Sequence, residues 1–205
     1  MELAAVLDEA RKAGFLGPGD VGLHIEHARG FVTVVEDALG HAPGRYCDLG
    51  TGGGVPGLVL ARAWAGSRGA FVDSSQRRGA ALRRALDRLN LAGRVEVVVE
   101  RAEVVAQDEA WRESFDAVTA RSFAPAAATA EIAAGLVAVG GVVVVSEPPA
   151  PDPDRWPEDA LLRLGFGPAT ILRSHGATFA TLRKVDRAPS AFPRPSGRPT
   201  KRPLW

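Results

Sequence analysis

The stretch "DLGTGGGVPG" (48–57) constrains this chain more than any other. From Tyr46 to Gly57, five of twelve residues are glycine. An apolar run, RYCDL (45–49), precedes it, and helical spacing from Pro56 to Trp64 follows. Strand, glycine turn and helix in that order open a parallel sheet whose first turn brings bare backbone close to a ligand. The rest of the chain repeats the alternation. GAFVD (69–73) leads into a helix from Gln76 to Leu89, and VEVVV (95–99) into one from Ala102 to Ala110. FDAVTA (115–120) leads into a helix from Ala126 to Val137, and GVVVVS (141–146) closes the series. Nearly continuous apolar runs separated by helices predict a doubly wound α/β sheet with both faces covered.

Two helices precede the sheet. The first covers residues 2 to 13, with Leu3, Val6, Leu7 and Ala10 on one face, and Gly14 to Gly19 ends it. Asp20 caps a second that runs to about Leu39 and is weakened at Gly30. After Ser146 comes a proline-rich loop, then a short helix from Asp159 to Leu164. Strands at 168–173 and 177–185, joined at Ser174-His175-Gly176, form an antiparallel hairpin at the sheet edge. The division expected is a helical cap (1–40), an α/β domain (41–186) and a tail (187–205). The tail carries five basic residues, no acid and five prolines, so it is expected to attract a polyanion and to form no regular element.

At 205 residues with 46% hydrophobic and 24% charged residues, the chain suits one sizeable soluble domain. Net charge is +1, so the bias toward a polyanion is local to the tail. The single cysteine, Cys47, permits no internal disulfide and no cysteine-based zinc site, and its apolar setting marks it as a core residue. The amino terminus lacks the basic and apolar blocks of a signal peptide, and no apolar run is long enough for a membrane span. A cytoplasmic protein is expected. His24 and His27 stand three apart on a helix without a third ligand, so no metal site is expected. No G-K-[ST] follows the glycines, which leaves nucleotide hydrolysis without support.

Gly52, Gly54 and Gly57 fit the G-x-G-x-x-G spacing of a dinucleotide site, while Asp48, Gly50, Gly52 and Gly54 fit D-x-G-x-G-x-G. A carboxylate beside the turn repels the pyrophosphate of a dinucleotide. It favours S-adenosylmethionine, which carries an ammonium and a sulfonium. Asp73, at the end of the second strand, suits a bidentate grip on ribose hydroxyls with either ligand, and it also suits a helix cap. Arg101-Ala102-Glu103 and Arg121 end the third and fourth strands, where an open α/β sheet forms its crevice. Each also reads as an ordinary surface or helix-start residue.

Several segments together resemble the bacterial 16S ribosomal RNA guanine-N7 methyltransferases, the glucose-inhibited division protein B family. These are "DLGTGGGVPGLVLA" (48–61), "VDSSQRRGAAL" (72–82), "RAE" (101–103), "ARSFA" (120–124) and the tail "FPRPSGRPTKRPL" (192–204). The resemblance implies a class I S-adenosylmethionine-dependent methyltransferase fold, Rossmann-like and mostly parallel, with an antiparallel final strand. It implies that Gly50 and Val55 line the methionine end of the cofactor, that Ala102 and Glu103 border the adenine, and that Arg121 completes the site as the candidate catalytic residue. With Asp48, Gly52 and Asp73 these make the expected cofactor site. The implied partner is 16S ribosomal RNA in the small subunit, met by a monomer whose Arg194, Arg198, Lys201 and Arg202 contact phosphates. The chain departs from the family in lacking an Asn-Leu-Thr motif near its start. It also reads Ser146-Glu147-Pro148-Pro149 where Lys-Gly is usual, an acid unfavourable to RNA at the mouth of the crevice. A small-molecule methyltransferase and a non-catalytic RNA-binding relative are the rival readings, with a nicotinamide-dependent oxidoreductase behind them.

Overall fold

A computed structural model describes residues 2–205. Two helices, α1 (Glu2–Lys12) and α2 (Val21–Leu39), lead into alternating strands and helices. These are β1 (Arg45–Leu49), α3 (Gly57–Ala63), β2 (Arg68–Val72), α4 (Gln76–Arg88), β3 (Val95–Val98) and α5 (Ala102–Gln107). Next come β4 (Phe115–Ala120), α6 (Ala126–Ala134) and β5 (Val137–Glu147). The chain then forms α7 (Glu158–Leu162), β6 (Thr170–Ser174), β7 (Ala177–Arg183) and α8 (Arg198–Lys201). The seven strands order as β3-β2-β1-β4-β5-β7-β6. β1 to β5 pair in parallel, β7 runs antiparallel to β5, and β6 closes the edge as the hairpin partner of β7. The strand order reverses between β1 and β4, so a crevice opens at their carboxyl ends.

Alternation along the strands feeds two cores. On one face Phe31, Val34 and Val35 of α2 pack with Leu58 of α3, Leu82 of α4, Phe71, Val144 and Phe179. On the other, Cys47, Leu49, Val118 and Val143 meet Val105, Ile132 and Leu161 of α5, α6 and α7. Helix α2 is therefore a layer of the domain itself. The helix runs unbroken through Gly30, where a Cβ would stand 2.6 Å from the Phe179 ring, so the glycine admits the ring against the helix. Asp20 caps α2 by accepting from the Gly22 N–H at 2.7 Å. Cys47 is fully buried, and burial pushes its thiol up.

Most boundaries fall within three residues of expectation, and two features depart further. Helix α6 stops at Ala134, and Val137 already pairs with Phe115 as the start of β5. The register shifts before Val142 pairs with Ala117, around Gly140 with φ of 86°. The apolar run Ile132 to Val137 suited a helix face equally well, and tertiary pairing decided it. The tail, expected to have no regular element, makes one helical turn at α8 after Gly197 in the left-handed region. Pro199 sits in that first turn, where a missing N–H costs nothing.

Candidate active site

A cleft of about 490 Å³ lies at the carboxyl ends of β1 to β4. Gly50, Thr51, Gly52, Gly53 and Val55 form its floor. Gly50 and Gly52 have φ of 65° and 58°, a conformation that only glycine adopts cheaply. Asp73 and Arg78 line one side, Ala102 and Glu103 the next, and Arg121 and Phe123 the far end. A Cβ on Gly53 would meet the Phe15 carbonyl at 2.8 Å, because the segment Phe15-Leu16-Gly17 between α1 and α2 lies over the loop. The cleft thus brings together Gly50, Gly52, Val55, Asp73, Ala102, Glu103 and Arg121, and leaves out Asp48.

Asp48 corrects the electrostatic reading. Tyr46 and Asp48 point to the α3 face of β1, opposite Cys47 and Leu49. The carboxylate is 0% exposed and lies beneath the glycine loop. It accepts from the Gly57 N–H at 3.1 Å and from the Thr119 hydroxyl at 2.8 Å, so it ties β1 to β4 and to the start of α3. Burial raises its pKa to about 7, against the hydrogen bonds from Thr119 and Gly57 that favour the charge. A half-protonated buried group is a strut and a weak lure for a cation. A raised folded-state pKa means that Asp48 contributes stability below about pH 4 and loses it as the pH rises toward 7. Wild type is therefore expected to lose roughly 2 kcal/mol from this group between pH 5 and 7. Asp48→Asn, neutral throughout, should abolish that slope in urea melts; an unaltered slope would contradict the assignment.

Asp73 is 3% exposed and densely bonded. Its Oδ2 accepts from the Gly52 N–H at 3.0 Å and its Oδ1 from the Ser75 N–H at 2.9 Å. The Arg78 guanidinium donates to both oxygens from Nε, at 3.0 and 2.9 Å. Asp73 thus shapes the floor and supports the α4 start, while Ser75 is the N-cap proper. Arg78, about 40% exposed, is the partner that solvent or ribose hydroxyls can replace.

Glu103 is 2% exposed, and its Oε1 accepts from Arg101 at 2.7 Å and from the Gly197 N–H at 2.9 Å. Burial opposes its charge, but these donors outweigh it and hold the carboxyl below its ordinary value. Gly197 belongs to the tail, which packs along α5 and α6 and brings Thr200 to the cleft wall. Arg194 departs from its expected phosphate role. Its guanidinium grips the fully buried Glu131 of α6 at 2.6 to 3.1 Å, and its backbone N–H donates there at 2.7 Å. A guanidinium so engaged has few donors left for a phosphate. Arg198, Lys201 and Arg202 are exposed.

Residues missed by sequence reasoning surround Arg121. Its Nη2 donates to His24 Nδ1 at 2.7 Å, which puts the ring proton on Nε2, facing the Gly17 carbonyl at 3.2 Å. His24 therefore links Arg121 to the covering segment. His27 is held neutral, its pKa lowered to about 4 by burial first and by Arg121 second. The sequence offered two histidines one helical turn apart ahead of the glycine loop, with nothing to choose between them. Among the described residues no group of three or more His, Cys, Asp or Glu could hold a metal, and no helix is long and apolar enough to cross a membrane. Glu147 is also placed unexpectedly. It is buried beneath Arg155 rather than presented to an incoming polyanion, so it does not carry the repulsion expected of an acid at the mouth.

The residues present fit S-adenosylmethionine. A bare glycine floor admits its backbone-hugging chain, the Asp73 carboxylate suits ribose hydroxyls, and the apolar Val55 and Ala102 suit its uncharged parts. Sheet order, antiparallel β7 and this cleft define a class I S-adenosylmethionine-dependent methyltransferase. The model of the family described as rRNA small subunit methyltransferase G matches residues 27–147, and the chain belongs to that family. The ribosomal RNA small subunit methyltransferase G of Rubrobacter xylanophilus is 31% identical over 99% of this chain and 82% of its own length. The protein of that name from a Roseiflexus species is 35% identical over 86% of this chain and 79% of its own. Among solved structures, an O-methyltransferase from Bacillus cereus in complex with SAH superposes with a TM-score of 0.62 at 19% identity, covering 89% of this chain and 90% of that one. The Streptomyces achromogenes O-methyltransferase of tomaymycin synthesis, in complex with SAM, gives 0.60 at 18%, covering 90% of each chain. These two likenesses bear on the fold alone.

Proposed function

We propose that this protein methylates N7 of a guanine in 16S ribosomal RNA, acting as a monomer in the cytoplasm. The observation that carries this reading is the convergence of Asp73, Glu103 and Arg121 on a glycine floor in a chain of the small-subunit methyltransferase family. When bound, S-adenosylmethionine supplies an electrophilic methyl group, whose C–S bond breaks toward sulfur as the acceptor's lone pair bonds carbon. Guanine N7 carries a lone pair and no proton, so no general base is required. The protein's part is then positioning and water exclusion. Asp73 holds the ribose, Ala102 and Glu103 border the adenine, and Gly50 and Val55 border the methionine end. Arg121, half-buried beside His24, fixes the far wall where the acceptor enters. The segment Phe15-Leu16-Gly17 shields the loop from water.

Incubation with labelled S-adenosylmethionine and small subunits lacking the modification tests the reading. Label is expected in 16S RNA as 7-methylguanine; label entering only small molecules would favour the small-molecule rival. The exposed cations of the tail supply RNA affinity in this account. Replacing Arg198, Lys201 and Arg202 together with alanine should reduce the slope of log affinity against log salt by about 2 to 3. An unchanged slope would show that these side chains meet no phosphate.

A further inference from the structure

Helix α4 carries five arginines and one acid, Asp87, in a chain with 25 basic and 24 acidic residues overall. Arg77, Arg84 and Arg88 stand seven and four residues apart, so they share one side of the helix, and all three are exposed. That side borders a groove of about 370 Å³ between α1 and α4, where Phe15, Gly52, Gly53, Glu9, Arg84 and Arg88 meet. Phe15, Gly52 and Gly53 also line the cofactor cleft, so the groove runs into the cleft mouth. The Arg77 guanidinium lies over the Phe15 ring, 5.8 Å from its centre. The charge on this side is incompletely offset. Arg78 is paired with Asp73 at 2.9 Å and Arg88 with Glu9 at 2.6 Å. Among the described residues Arg77 and Arg84 have no carboxylate within ion-pair distance. Arg77 sits in the first turn of α4, which holds no acid and where the helix dipole opposes a cation. Arg84 and Arg88 are one turn apart, a like-charge spacing that also works against the helix. The helix therefore holds positive charge that disfavours it, on the side that leads to the cleft, and an external polyanion offsets that charge. The acids near this route are engaged: Glu9 by Arg88, and Glu100 at the cleft rim by the Arg101 backbone N–H at 2.7 Å.

We propose that the Arg77, Arg84 and Arg88 side of α4 holds the phosphate backbone of the substrate RNA, which then crosses the cleft mouth between α4 and the tail. The proposal rests on the RNA acceptor of the preceding reading and adds a second contact surface to the tail cations. Those cations flank Thr200 on the Glu103 wall of the cleft, whereas α4 stands at the wall of Asp73 and Arg78. Guanidinium groups match phosphate oxygens in geometry as well as charge. Arg77 and Arg84 are about 10 Å apart along the helix axis, so they meet separate phosphates and their effects add. Arg88 is the weaker member, because Glu9 already holds it. Arg83 takes no part, since it turns away to donate to the Val97 carbonyl at 3.0 Å. Phosphate contacts fix position and salt dependence and read no sequence, so the choice of base is left to the cleft.

The test measures affinity for small subunits lacking the modification across a salt series, and label entering 16S RNA in the same samples. Wild type is compared with Arg84→Ala, the Arg77→Ala/Arg84→Ala pair, Arg84→Lys and Arg173→Ala. Arg173 is an exposed cation of β6, at the opposite edge of the sheet. The slope of log affinity against log salt should fall by about 1 for Arg84→Ala and by about 2 for the pair. Arg84→Lys, which keeps the charge, and Arg173→Ala should both retain the wild-type slope. Arg84→Ala should also raise KM for subunits while kcat and S-adenosylmethionine affinity stay as in wild type. An unchanged slope in a folded Arg84→Ala protein would overturn the proposal. So would an equal fall in Arg173→Ala, which would make the effect one of overall charge. Either result alongside normal labelling of 16S RNA strikes this surface alone. A wild-type protein that binds no subunits at any salt would end the RNA reading and this surface with it.

Discussion

Replacing Asp73 with alanine is expected to weaken S-adenosylmethionine binding by at least about 100-fold, or about 3 kcal/mol. Two effects add. The variant loses the carboxylate proposed above to hold two ribose hydroxyls, and hydrogen bonds to a charged group are the strong ones. It also loses the acceptor that holds the Gly52 N–H at 3.0 Å, so the floor of the cleft relaxes. Arg78 sets the size of the effect. It satisfies Asp73 before ligand arrives, so ribose exchanges one set of partners for another and the net gain is less than the gross. Arg78→Ala is accordingly expected to change affinity far less than Asp73→Ala. Calorimetric titration of both variants, with a melting curve for each, separates these contributions. A tenfold or smaller loss in a folded Asp73→Ala protein would remove Asp73 from the ribose site.

Glu131→Ala should cost about 3 to 5 kcal/mol in folding stability, the usual penalty for breaking a buried ion pair. Glu131 is 0% exposed in a helix otherwise made of Ala, Thr and Ile, and it accepts four hydrogen bonds from Arg194. Without it, a guanidinium only one-fifth exposed has no partner, and the tail loses its anchor. The tail also places Gly197 on Glu103 and Thr200 at the cleft. Loosening should therefore reach the cofactor: weaker binding and earlier trypsin cleavage after Arg187 and Lys201, the basic residues of the tail not followed by proline, are expected together. Guanidinium-chloride melts and timed digestion check this. A loss under about 1 kcal/mol with the tail still protected would mean that the ion pair merely accompanies docking.

The strand series was legible because each strand is a short apolar run bounded by turn residues, and the site positions Gly50, Asp73, Ala102, Glu103 and Arg121 follow those strand ends directly. What a local motif cannot carry is the face a side chain takes. Asp48 stands two residues before Gly50, which suggested a ligand contact, yet strand alternation turns it under α3. Partners distant in sequence were equally hidden. Arg194 reads as one more solvated charge of a basic tail until the fold sets it against Glu131, 63 residues away. His24 and Arg121 meet across 97 residues, and nothing in either segment announces the other. The single turn at α8 depends on the same docking, since four residues with a proline do not hold a helix alone.

The central claim is that this chain places one methyl group on N7 of a guanine in small-subunit RNA. Mass spectrometry of 16S RNA from cells lacking the chain tests it most directly. One 7-methylguanine should disappear, return with the wild-type protein and stay absent with Asp73→Ala. An unchanged set of 16S methylations in those cells would contradict the account.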